Sequence, residues 1–249
     1  MHLLNLVGFI SLLVAPSIQS GSQNFGLPSD AVILETKTVA SDRSMVLWML
    51  HPKKVPRDTP DEPYTCPEET RGSYYSGPTR VSLMNTKTRN VINTVIIKPE
   101  GSGAEDEFDL PYQIRVGSYY KVFDGTVGLE GKPDLMWLGD YNGDGRALEF
   151  ALFDAVACMG LQTSLIGFSE SQDKVVQYPI RLIVVEGNKR RIANLRWIDY
   201  QFSKPANKPG YWKYEIDYRG RGGTLDKYEI RYDKRRERFE GRVYFIGGE

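Results

Sequence analysis

Apolar and polar positions along this chain alternate mostly with a period of two. Val32–Val39, Met45–Leu50, Arg80–Met84, Val91–Ile97, Leu135–Leu138, Ser164–Phe168, Gln177–Val185, Asn194–Phe202, Trp212–Tyr218, Tyr228–Tyr232 and Phe239–Phe245 each combine β-branched or aromatic residues with alternation, and each is expected as a strand. After residue 20 no window carries a convincing amphipathic helix. The nearest approach, Leu148–Met159, reads equally well as strand plus turn.

Three segments share a hairpin design. Arg80–Ile97, Ser164–Ile180 and Tyr228–Phe245 each place a polar tip between apolar arms, as exposed turns require. The expected class is all-β, an antiparallel hairpin meander. Repetition of one design points to a small or irregular β-propeller, with a β-sandwich carrying long insertions as the alternative. Two stretches interrupt the pattern. His51–Pro78 holds six prolines and is expected as a long loop, residues 51–78, that cannot enter a central strand. Glu100–Asp109 is acidic and Gly/Ser-containing, the composition of a solvated loop.

The first residues bear on compartment. Leu3–Val14 is a short apolar run, followed by Ala15-Pro16-Ser17 and a polar Ser/Gly/Gln stretch, the layout of a secretory signal. Residues 1–20 are therefore expected to be a signal peptide, with a buried N-terminal helix as the alternative, and residues 21–249 a single β-rich domain. The protein would be secreted or periplasmic, with no membrane span in the mature chain, since a span needs ~20 apolar residues. In an oxidising compartment Cys66 and Cys158 form one disulfide or remain two thiols; the sequence leaves both open. With His2 and His51 the sole histidines, zinc chemistry is not expected.

The 32 basic and 32 acidic residues cancel, so no steering toward nucleic acid is expected. Their distribution is uneven. Residues 100–154 carry twelve acids against four bases, and residues 189–242 carry sixteen bases against eight acids. The first reading is that these regions lie against each other or face solvent; an anion-binding surface is the second.

One stretch carries specific chemistry: Asp140-Tyr141-Asn142-Gly143-Asp144-Gly145-Arg146-Ala147-Leu148-Glu149. Calcium takes six to eight oxygen ligands, and side-chain oxygens at alternating positions converge if the chain curls tightly. Asp140, Asn142 and Asp144 supply three, Gly145 permits the sharp turn, the Arg146 carbonyl is a fourth, and Glu149 is the nearest closing carboxylate. The competing reading is a metal-free turn, because Asn-Gly and Asp-Gly are turn formers in their own right.

The D-x-N-x-D-G core resembles the first half of an EF-hand or dockerin loop, with Ala151 where the EF-hand has its closing Glu. It resembles more closely the FG-GAP/VCBS repeats of integrin-type propellers, where D-x-N/D-G-D-G precedes an acid and then a strand. Here Glu149 precedes Phe150-Ala151-Leu152-Phe153 and stands one residue later than that family's closing acid. The resemblance implies structural calcium and a repeat-built β fold. A degenerate copy, Asp217–Asp226, lies 77 residues on, keeping the leading Asp, the Tyr, both aligned glycines, the Leu and a final acid. Arg219 and Arg221 replace Asn142 and Asp144, so this copy is not expected to hold a cation. Either an arginine there takes the ion's place and pairs with Asp217 or Asp226, or both arginines point into solvent; the sequence leaves both open.

No nucleophile–base constellation, nucleophile elbow or phosphate-cradling loop is present. A pair of acids acting on a glycosidic bond is not visible from spacing, with Asp134, Asp154 and Asp199 as candidates. Trp137, Tyr141, Tyr211, Trp212, Tyr214 and Tyr218 flank the two loops and would suit sugar stacking if exposed; core packing is the alternative. The functional expectation is an exported, calcium-stabilised binding or structural module without catalytic activity, its partner a protein or a glycan. A lectin-like protein is the second reading and a carboxylate-dependent glycoside hydrolase the third.

Overall fold

A computed structural model describes residues 26–55, 70–71, 74–99, 107–110, 113–114, 135–156 and 160–247. The signal peptide expected at residues 1–20, both cysteines and Asp134 lie outside the described residues. In chain order the strands are β1 (Ala31–Ala40), β2 (Arg43–Leu50), β3 (Lys53–Val55), β4 (Thr70–Arg71), β5 (Tyr74–Asn85), β6 (Asn90–Ile97), β7 (Glu107–Leu110), β8 (Gln113–Ile114), β9 (Glu149–Val156), β10 (Gly160–Ser169), β11 (Lys174–Gln177), β12 (Ile180–Glu186), β13 (Lys189–Leu195), β14 (Ile198–Asp199), β15 (Tyr211–Asp217), β16 (Leu225–Asp233) and β17 (Arg238–Ile246). The class is all-β, and among the described residues no helix is long and apolar enough to cross a membrane.

Three sheets form the body, and β4 pairs separately with β8. In the first, β1-β2-β5 lie in order, β6 flanks β5, and β3 and β7 pair with its N-terminal half. In the second, β10 takes β9 along one side and β11 and β14 at opposite ends of the other. The third runs β13-β12-β17-β16-β15. Its β12/β17 pair is parallel, an exception to the otherwise antiparallel pattern. These are not successive four-stranded meanders, and β14 leaves the chain's next sheet to join β10. The arrangement is sandwich-like rather than propeller-like.

Strand placement follows from side-chain alternation. Met45, Leu47 and Met49 enter the main core, while Val46, Trp48 and Met84 build a smaller cluster on the other face. Trp48 is satisfied there through its Nε1–H, which donates to Ser82 Oγ at 2.9 Å. In the third sheet Ile180, Leu182, Val184, Ile230 and Val243 point inward. Phe202, Trp212 and Phe239 meet edge to face with ring centroids 5.2–5.7 Å apart, a geometry adding about 0.5–1.5 kcal/mol per pair beyond burial. One buried cluster runs from Leu34 to Val243 and joins all three sheets.

Several boundaries differ from expectation for identifiable reasons. The expected loop over 51–78 contains strand at Lys53–Val55, Thr70–Arg71 and Tyr74–Pro78. Pro78 is tolerated because β5 exchanges partners there, from β3 at Ser76 to β2 at Thr79. Gln177–Val185 breaks at Tyr178-Pro179, since Pro179 has no N–H for a ladder. Asn194–Phe202 divides among β13, β14 and a 3-10 turn at Gln201–Ser203 that delivers Phe202 to the core. Leu135–Leu138 is irregular rather than strand. Within Leu148–Met159 the described residues resolve in favour of strand, as β9 over Glu149–Val156. All three hairpins form, with turns at 86–89, 170–173 and 234–237.

Candidate functional site

The Asp140 loop enters β9 and is closed at its base by backbone pairing. Gly139 N–H donates to the Glu149 carbonyl at 2.7 Å, and Glu149 N–H returns a bond to Gly139 at 3.2 Å. Within it, Asp140 Oδ1 accepts from the N–H groups of Gly143 and Asp144 at 2.8 and 3.1 Å, and Oδ2 accepts from Gly145 at 2.9 Å. Asn142 Oδ1 accepts from Asp144 N–H at 2.8 Å, and Asp144 Oδ1 from Arg146 N–H at 2.9 Å. Three consecutive Asx-type turns thus curl the backbone around its own side chains.

The loop and the segment leading into it are fastened to elements of the three larger sheets. Ahead of it, the N–H groups of Leu135 and Met136 donate to Glu35 Oε2 on β1 at 2.5 and 3.0 Å. Arg146 turns outward to pair with Glu170 in the β10/β11 turn. Gly143 sits against the segment before β15: at φ 78°, a Cβ there would lie 2.7 Å from the Pro209 carbonyl carbon. Reciprocally, a Cβ on Gly210 would lie 2.6 Å from the Asn142 carbonyl oxygen. Across the β9/β10 ladder Gly167 stands opposite Glu149, and a Cβ there would meet Glu149 Cγ at 2.7 Å. That missing methyl is the space into which the Glu149 side chain folds.

Glu149 is fully buried. Its Oε2 accepts from Tyr141 N–H at 3.0 Å and more weakly from Asn142 N–H at 3.4 Å, and its Oε1 accepts from Asn142 Nδ2 at 2.9 Å. The same Nδ2 donates to Asp144 Oδ2 at 3.2 Å, so one amide bridges two carboxylates. Burial, opposed by the Tyr141 amide and reinforced by the charges of Asp144 and Asp140, pushes the Glu149 carboxyl up to about 8. Burial and the Glu149 charge also raise the neighbouring Tyr141 and Tyr178 phenols.

The sequence-derived ligands Asp140, Asn142, Asp144 and Glu149 are therefore joined in one hydrogen-bonded loop, and the Arg146 carbonyl accepts from Leu148 N–H at 3.1 Å. The donor set is all oxygen and hard, as calcium requires, with three carboxylates and no cationic group among them. Among the described residues no three acidic, histidine or cysteine side chains are gathered as a ready metal cluster. Cation binding requires the Asn142 amide to withdraw from between Asp144 and Glu149. What residue spacing did not reveal is the glycine cradle of Gly143, Gly167 and Gly210, because each acts across non-local packing.

The degenerate copy shares the closing register. Ile216 pairs with Asp226 as Gly139 pairs with Glu149, and Gly222 has positive φ like its counterpart Gly145. Arg219 forms an ion pair, donating from Nε and Nη2 to Asp217 at 2.9 and 2.7 Å, in an exposed position. Asp226 is buried and its carboxyl raised, chiefly by burial. Asp199 is likewise raised by burial and accepts from the Tyr228 hydroxyl at 3.3 Å.

The flanking aromatics mostly serve packing. Trp212 is buried, Tyr214 stacks on Tyr228 at 4.7 Å, and Tyr141 packs edge-on against Phe202 at 6.0 Å. Trp137 differs, with 61% of its surface exposed just ahead of the Asp140 loop. Comparison of the chain with family models, curated proteins and solved structures finds no match.

Proposed function

We propose that this chain is an exported, calcium-stabilised β module of binding or structural type, secreted or periplasmic, without catalytic activity of its own. The observation that carries this reading is the placement of the Asp140 loop, an oxygen-lined curl fastened to the β9/β10 hairpin and to the segment before β15, with its lead-in at Leu135 and Met136 bonded to β1. Asp140, Asn142, Asp144 and Glu149 would hold calcium through side-chain oxygens and Arg146 through its carbonyl. Bound calcium would neutralise the carboxylates and tie the three sheets together where the chain between them is irregular. The FG-GAP/VCBS-like spacing supports the same reading.

Titration with terbium, a calcium surrogate whose emission is sensitised by nearby tyrosine, tests it. Tyr141 and Tyr178 stand beside the loop, so stoichiometric emission displaced by calcium and absent in Asp144→Ala is expected. Emission that is weak, non-saturating or unchanged in Asp144→Ala would leave Asp140–Glu149 a metal-free turn. The lectin-like reading is favoured by one observation, the exposed Trp137 beside the loop. Under it, Trp137→Ala abolishes glycan binding and leaves the terbium signal intact.

A further inference from the structure

The outer face of the five-stranded sheet carries a charge arrangement that the Asp140 loop does not explain. A concavity of about 270 Å3 opens there, lined by Arg181, Arg231, Arg242, Glu229, Glu240 and Tyr211 among others. The ladder registers set Arg181 and Arg231 on either side of Glu240, and Arg242 beside Glu229. Each arginine could pair with a carboxylate at that register, yet none does among the described residues. Glu240 is instead held by Arg238 Nε at 2.7 Å, and Glu229 accepts from the Tyr211 hydroxyl at 3.3 Å. Three guanidiniums are thus left with open donor forks above a face that also holds two carboxylates and an aromatic ring. Lys213, beside Glu229 in the β15/β16 register, and Arg190 of the edge strand β13, opposite Val185, add two further cations without an ion pair among the described residues.

We infer that this concave face is a binding site for an acidic oligosaccharide, one bearing sulfate or carboxylate groups. Planar guanidiniums recognise such groups through paired N–H donors. The carboxylates of Glu229 and Glu240 select for hydroxyl-bearing partners, whose O–H groups they accept, and disfavour a uniformly anionic nucleic acid backbone. Tyr211 has the Lys208 ammonium 5.2 Å from its ring centroid, so the ring and that cation together meet a sugar face and its acidic group. Arg181 and Arg231 lie two strands apart, about 10 Å across the sheet, enough to span two sugar rings. The site is built from elements separate from the Asp140 loop, so it stands or falls independently of calcium.

Calorimetry on the full chain would use four probes: a heparin-derived tetrasaccharide, a tetragalacturonate, neutral maltotetraose and an oligothymidylate matched in charge. The expected result is saturable binding of the sulfated or the uronate probe, whichever group the arginines prefer, and none of maltotetraose. Arg181→Ala with Arg231→Ala is expected to weaken binding at least tenfold. Lys234→Ala with Arg235→Ala, an equal loss of charge on the β16/β17 turn, is expected to leave it within twofold. Should the double alanine variant fold poorly, Arg181→Lys with Arg231→Lys keeps the charge, loses the paired donors and still weakens binding several-fold. Absence of saccharide binding, equal sensitivity to the turn variant, or oligothymidylate binding as tight as the saccharide overturns the assignment.

Discussion

Replacing Glu149 by Gln in the calcium-free protein isolates what the buried carboxyl does to stability. In the fold it titrates at about 8, against 4.5 for the free group, because burial outweighs the two backbone N–H groups it accepts from. The folded state therefore holds the proton more tightly than the unfolded chain. Its contribution is fully present below about pH 4.5 and is lost as pH rises toward 8. At 1.36 kcal/mol per unit the complete loss is about 5 kcal/mol, of which about 3–4 kcal/mol falls between pH 5 and pH 8. Urea unfolding of wild type and Glu149→Gln in chelator at several pH values measures it. The stability difference between the two proteins should move against wild type by that amount on going from pH 5 to pH 8. Calcium, which favours the ionised carboxylate, should suppress the decline in wild type. A difference that stays flat across this range would mean Glu149 is ionised throughout, and the burial argument would be wrong.

Other substitutions separate the parts of the cradle. Gly167→Ala drives a methyl into Glu149 Cγ at 2.7 Å and should cost about 1–3 kcal/mol by urea unfolding, with a weakened calcium response. Gly143→Ala combines a positive φ with a collision at Pro209, whereas Gly145→Ala at φ 90° meets nothing within 4 Å. The first should lower the melting temperature markedly more than the second, whose cost is backbone strain of about 1–3 kcal/mol alone. Asn93→Ala removes an amide that bonds both the N–H and the carbonyl of Val175, at 2.9 and 2.8 Å, and so joins β6 to β11. Leaving those groups unpaired should cost about 1–3 kcal/mol, and hydrogen exchange at Val175 should rise.

Much of this fold was legible because half-buried strands must alternate. β12 and β16 do so cleanly, β1 keeps only a broken alternation because its register shifts at Ile33/Glu35 and Thr38/Ala40, and β2, buried on both faces, announces itself as an unbroken apolar run. The alternation gives no sign of β13 over Lys189–Ala193, because an edge strand with no buried face has no alternation to read; its charges protect an open edge. The parallel pairing of β12 with β17 was also invisible, since pairing partners 59 residues apart leave no local trace. That pairing is what separates a sandwich-like body from the meander expected. At the candidate site the oxygen-bearing residues were read directly from Asp140-x-Asn142-x-Asp144-Gly145. The burial of Glu149 and the interlock of Gly143 with Gly210 depend on neighbours that only the folded chain brings close.

The most direct test of the account is a pair of melting curves for residues 21–249, in calcium and in chelator, repeated for Asp144→Ala. The account predicts a clear rise in melting temperature with calcium for wild type, as ligand linkage requires, and no rise for the variant. Identical curves for wild type in calcium and chelator would contradict it and return the Asp140 loop to a turn held by its own hydrogen bonds.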